Sequence, residues 1–149
     1  MLDKILIAFD GSEQSKRALH YALVLSEKFS SELIILTVYN RPVIPVFGID
    51  EDTITDPDFT NYIETMKRAS RTLLNAAEDI AKRDWPSVNY VSLMKEGRPA
   101  SMIMSVAENE DVDLIILGDK GVGGVSGWVL GSTSKNVVDN CKKPVLVVK

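Results

Sequence analysis

Gly118-Asp-Lys-Gly121 is followed by nine residues and then by Gly131-Ser132-Thr133-Ser134. An apolar run, Asp113-Leu-Ile-Ile-Leu117, precedes this stretch and reads as a buried strand; Lys135-Asn-Val-Val-Asp-Asn140 follows it and reads as a short helix. A strand, a glycine-rich loop and a helix start carrying three hydroxyls make an anion cradle. Glycine lets backbone N–H groups approach an oxyanion closely. The helix start adds unpaired N–H donors and the positive end of the helix dipole. Phosphate is the natural ligand of such a cradle, so the chemistry to test first is nucleotide binding.

In open α/β sheets, ligands sit outside the carboxyl ends of the strands where the strand order reverses. The first strand delivers Ala8-Phe9-Asp10-Gly11-Ser12 to that edge and the fourth delivers Leu117-Gly118. If the two strands are neighbours, Ala8, Asp10, Leu117 and the glycine loop face one crevice. Asp10 then has two readings. It caps the first helix, or it accepts hydrogen bonds from ribose hydroxyls or an adenine amine, for which an ionised carboxylate is suited. Val38, at the end of the second strand, is either plain core or the backbone that reads an adenine edge. The P-loop pattern G-x-x-x-x-G-K-[ST] is absent, and the dinucleotide pattern G-x-G-x-x-G does not follow the first strand.

The elements that position these residues alternate. Short apolar runs rich in β-branched residues fall at residues 4–9, 33–38, 88–94, 114–117 and 145–148. Amphipathic stretches at 12–30, 58–83, 99–109 and 132–140 separate them. Ser12 is placed to cap the first helix and Pro99 to open the third. The alternation predicts one α/β domain over residues 1–149, with a parallel sheet covered on both faces. The segment from Tyr39 to Pro57 is long for a connection and reads as a surface excursion, a lid or a partner surface.

A net charge of −4 with no Lys/Arg cluster argues against nucleic-acid binding. Cys141 is the one cysteine, which excludes an internal disulfide, suits the cytoplasm and predicts a half-buried, inert thiol. No run approaches the roughly 18 apolar residues of a membrane span, and the N-terminal run is too short and too charged at its flanks for a secretory signal.

Gly118-x2-Gly121-x9-Gly131-Ser132 resembles the nucleotide-binding motif of the ATP-binding universal stress proteins. Lys4-Ile-Leu-Ile-Ala-Phe-Asp10, Glu96-Gly97-Arg98-Pro99, Asp113-Leu-Ile-Ile-Leu-Gly118 and the ending Lys143-Pro-Val-Leu-Val-Val-Lys149 are also similar to family signatures. The resemblance spans essentially the whole chain. It implies a single open five-stranded parallel sheet of order 3-2-1-4-5 with helices on both faces, Rossmann-like and of the adenine nucleotide alpha hydrolase type. It implies ATP or another adenine nucleotide at the switch point, with Mg²⁺. Asp10 would bind the ribose or adenine end, Val38 would take adenine through its backbone, and Gly118 would lie along the ribose. Gly121, Gly131, Ser132, Thr133 and Ser134 would hold phosphates. It further implies a homodimer through the last strand, Val145–Val148, an apolar edge that needs cover. The chain departs from the family pattern at Asp119, where a small or hydroxyl-bearing residue is common. A carboxylate there repels a triphosphate unless it faces away or meets the metal.

Catalytic constellations are thin. The single histidine, His20, falls within the first helix and reads as a surface side chain, and no H-E-x-x-H or G-x-S-x-G motif occurs. The sequence favours a nucleotide-binding regulatory protein with at most slow ATP hydrolysis. The competing readings are a dimeric α/β interaction module that binds no nucleotide, and a dedicated nucleotide-hydrolysing enzyme, which would need a further base or arginine at the phosphate end.

Overall fold

The structure is a computed structural model that describes residues 1–40, 57–123 and 129–149. Five strands, β1 (Lys4–Ala8), β2 (Glu32–Tyr39), β3 (Tyr90–Glu96), β4 (Leu114–Gly118) and β5 (Val145–Val148), form one sheet of order β3-β2-β1-β4-β5. All four pairings are parallel. Helices α1 (Glu13–Phe29), α2 (Pro57–Asp84), α3 (Pro99–Asn109) and α4 (Ser132–Asn140) alternate with them. The strand order turns back at β1: α1 and α2 lead outward to β3, and α3 returns the chain to β4 on the other side of β1.

The side chains of the three inner strands divide between the two faces, as period-2 alternation requires. Ile5, Ile7, Leu33, Ile35 and Ile116 pack with the buried residues of α1 and α2. Leu6, Ile34, Leu36, Ile115 and Leu117 pack with α3 and α4. Alanines at Ala18 and Ala22 of α1, and at Ala77 and Ala81 of α2, are fully buried and let the helices lie close on the sheet. Each Leu or Ile buried this way contributes about 1.5–3 kcal/mol.

The strand bounds differ from the apolar runs by one or two residues in β1 to β4, and β5 is unchanged. β3 begins at Tyr90 rather than Val88, because Val88 donates its N–H to Trp85 O in a turn (3.0 Å) and the β2 ladder starts only at Asn89 O. Phe9 is buried but lies past the end of β1. Most of the segment from Tyr39 to Pro57 lies outside the described residues. Ser12 does cap α1, its hydroxyl accepting from Ser15 N–H. Cys141 is half-buried against the α3/α4 face. His20 is exposed, edge-on to Trp85 at 5.7 Å. Among the described residues, no helix is long and apolar enough to cross a membrane.

At the other end of the sheet Asp113 ties β1 to β4. Its Oδ2 accepts the N–H groups of Asp3 (2.7 Å) and Lys4 (3.0 Å). These two donors, Lys4 first, hold its carboxyl below the ordinary value of 3.8. A depressed carboxylate contributes stability that is complete above its unfolded value and lost as pH falls through the folded one. An NMR titration of the Asp113 carboxyl is therefore expected to give a midpoint below 3.8. In Asp113→Asn, the part of the acid destabilisation that belongs to this carboxylate is expected to be missing from unfolding curves taken below that pH.

Candidate functional site

The reversal of strand order puts the carboxyl ends of β1 and β4 side by side, with a crevice between their following loops. Two adjoining cavities open there. The inner one, about 110 Å³, is walled by Ala8, Leu36, Val38, Ile103 and Leu117, with Asp10, Gly118 and Lys120 at its polar side. The outer one, about 500 Å³, is bounded by Lys120, Gly121, Gly131, Ser132 and Thr133. Asp10, Pro99, Lys120, Gly121 and Thr133 border both. All ten residues singled out from the sequence line one cavity or the other.

The inner cavity is an apolar slot with backbone polar groups at one edge. Even-numbered β2 residues turn their polar groups toward β1: Glu32 N–H donates to Asp3 O, and Phe9 N–H donates to Leu36 O (2.8 Å). Odd-numbered ones turn theirs toward β3, as Gly97 N–H to Tyr39 O shows. Val38 is thus next in line on the β1 side, but β1 has ended and Gly11, at φ 83, turns the chain into α1. Phe9 O takes the Thr37 hydroxyl instead (3.0 Å). Val38 therefore presents main-chain polar groups at the slot while its side chain packs on the α3/α4 face.

Asp10 is not the cap of α1, since Ser12 fills that role. Its Oδ1 accepts Ser12 N–H (2.9 Å) and its Oδ2 accepts Val122 N–H (3.1 Å), so the carboxylate spans from the α1 start to the glycine loop. Gly121 is a steric requirement of that contact: a Cβ there would lie 2.7 Å from Asp10 Oδ2. Gly118 is required by a different neighbour, since its Cβ would meet Gln14 Cβ at 2.7 Å and Gln14 backbone C at 3.0 Å in the first turn of α1.

The start of α4 differs from the start of α1 in one respect. Its cap is Gly131, which offers no side-chain acceptor, and the first bond within the helix is Lys135 N–H to Gly131 O (2.9 Å). The N–H groups of Ser132, Thr133 and Ser134 thus lack the side-chain acceptor that Ser12 gives α1, and an anion satisfies such donors. Gly131 N–H closes the base of the loop onto Asp119 O (2.7 Å). Ser134 is buried and spends its hydroxyl proton on Gly118 O (2.6 Å), which leaves that oxygen only acceptor capacity.

Asp119 does not line either cavity. Its N–H bonds Val148 O (2.8 Å), and its Oδ1 is buried with no hydrogen-bond partner among the described residues. The Asp119 carboxylate therefore stands off both cavities. Among the described residues lining the cavities, Lys120 is the one cation and Asp10 the one carboxylate. No cluster of three metal-ligating side chains occurs among the described residues. A divalent ion here would have to take most of its oxygens from phosphate and water, which is the usual habit of Mg²⁺.

Pro99 and Ile103 were not identified from the sequence. They reach the slot because α3 crosses back over the sheet, and the proline at the start of α3 was the available signal.

A family model described as the universal stress protein family matches residues 1–149. A universal stress protein of Thermus aquaticus is 33% identical over the full length of both chains. The universal stress protein YxiE of Bacillus subtilis is 32% identical, again over the whole of both. The solved structure of MJ0577, a universal stress protein of Methanocaldococcus jannaschii, superposes with a TM-score of 0.79 at 29% identity, covering 100% of this chain and 96% of that one. With an uninterrupted family match and relatives of this identity at full length, the chain belongs to the universal stress protein family.

Proposed function

We propose that the chain is an adenine-nucleotide-binding regulatory protein, with ATP and its Mg²⁺ as the principal ligand and at most slow hydrolysis. The observation that carries this reading is the glycine-capped N-terminus of α4 facing an apolar slot across the β1/β4 crevice. Adenine fits the slot between Val38, Ile103 and Leu117, with its polar edge toward the Val38 main chain. Asp10 accepts from the ribose, and Gly118 and Ala8 leave room for the sugar. The N–H groups at Gly121, Ser132, Thr133 and Ser134, with the Ser132 and Thr133 hydroxyls, receive the phosphates, and Gly131 holds the helix start that presents them. Lys120 and the metal offset their charge. Relatives by fold support the class of ligand: one universal stress protein was solved in complex with cAMP and another, from Archaeoglobus fulgidus, in complex with dAMP.

β5 lies at the sheet edge with Val145, Leu146 and Val147 half-exposed, and a second copy pairing there would cover it. The single cysteine suits the cytoplasm as the place of action.

Native mass spectrometry of protein purified without added nucleotide tests the ligand and the assembly together. The expected species is two chains carrying ATP or AMP. Bare protein that also fails to bind millimolar ATP with Mg²⁺ would instead support an interaction module.

A further inference from the structure

We propose that Asp10 is the positioning residue of the glycine loop: its carboxylate holds the Gly121–Gly123 arm in place, so the gain in affinity from each added phosphate depends on Asp10. This inference rests on the nucleotide reading above and assigns Asp10 a role beyond its contact with the ribose.

The bond from Val122 N–H to Asp10 Oδ2 joins residues 112 positions apart. It is anchored at its other end, because Oδ1 is fixed by Ser12 N–H at the start of α1. Among the described residues no other side chain bonds this arm; its remaining restraints are its own turn at Val122–Gly123 and the approach of Gly121 to Gly131. Val122 is 77% exposed. Gly123 has φ 77 and no atom within 4 Å of the place where a Cβ would stand. Among the described residues, Gly121, Val122 and Gly123 make no other hydrogen bond. The opposite arm is independently secured, by Gly131 N–H on Asp119 O and by the entry into α4. One side of the loop is thus tied by main-chain bonds, and among the described residues the other is tied to the rest of the fold by one charge-assisted hydrogen bond. Fixing a free backbone is costly, and glycine loses most. With Asp10 in place that cost is met on folding; without it, each phosphate bound would have to order the arm. A carboxylate has about four acceptor sites, so two N–H bonds leave room for ribose hydroxyls as well.

The two roles of Asp10 separate in Val122→Pro, which removes the N–H but leaves the carboxylate and disturbs no packing. In this variant, affinity for ATP is expected to fall about tenfold while affinity for adenosine stays within about twofold, the size of one charge-assisted hydrogen bond. Asp10→Ala is expected to lose affinity for both. The double variant is expected to bind ATP no more weakly than Asp10→Ala, because the two changes remove the same bond.

A second measurement needs no nucleotide: solvent exchange of the Val122 amide by NMR is expected to be several-fold faster in Asp10→Ala than in the parent. Unchanged exchange, or Val122→Pro with full ATP affinity, overturns the proposal. If the parent binds neither adenosine nor ATP, the nucleotide reading fails, and the exchange comparison alone decides whether Asp10 holds the arm.

Discussion

Gly118→Val is expected to lower the melting temperature by about 10 °C in a calorimetric or circular-dichroism melt, from a loss of about 3 kcal/mol. Gly118 carries no backbone strain; the requirement is space. A Cβ would stand 2.7 Å from Gln14 Cβ, 3.0 Å from Gln14 backbone C and 3.1 Å from Ser15 N. Two of these three atoms are main chain in the first turn of a helix, so no rotamer change relieves the clash. Relief requires moving the start of α1, and Asp10, Ser12 and Ser15 are linked there by hydrogen bonds. The same displacement would carry Asp10 away from the crevice, so ligand affinity is expected to fall together with stability. A variant that melts with the parent would show that α1 does not lie this close to β4.

Gly131→Val is expected to separate those two quantities. Gly131 sits at φ −60 and ψ 158, a conformation open to any residue. Its Cβ would press on Lys120 Cα at 3.1 Å and Asp119 O at 3.3 Å, across the neck of the glycine loop. A branched side chain there pushes the neck open, breaks the Gly131 N–H bond to Asp119 O and takes the cradle donors out of register. Each charge-assisted hydrogen bond lost costs about 1.5–3 kcal/mol, so the ATP dissociation constant is expected to rise about a hundredfold. The melt is expected to shift by only a few degrees, because the contacts lie at a surface loop. Isothermal titration of parent and variant with Mg·ATP checks the claim, and equal affinities would remove Gly131 from the phosphate site.

The sheet was legible because β1, β2 and β4 are short, β-branched apolar runs alternating with helical periods, the pattern of a parallel sheet covered on both faces. The start of β3 was not, because Val88 is as apolar as a strand residue but is buried in a turn after Trp85. The position of the glycine loop and of the α4 start at the crevice was legible from Gly131 and the hydroxyls that follow. The reason for each glycine was not. Gly118 answers to Gln14 and Gly121 to Asp10, partners set by packing that spacing does not encode. Asp119 looked like a threat to a triphosphate; only the β4–β5 register reveals that it lies against Val148, off the cavities. The bond from the Ser134 hydroxyl to Gly118 O could be seen only once β4 and α4 were placed together.

The notch above β1 comes from unequal strand lengths. β2 continues to Tyr39 against β3, while its pairing with β1 stops at Ala8 and Leu36. The ladder is left one rung short, and a flat ring with a donor beside an acceptor would supply that rung as though it were the missing residue of β1. Such recognition belongs to the main chain, so it is indifferent to which apolar side chain stands at Val38. It is acutely sensitive to anything that lengthens β1, because one more paired residue would fill the space such a ring would take.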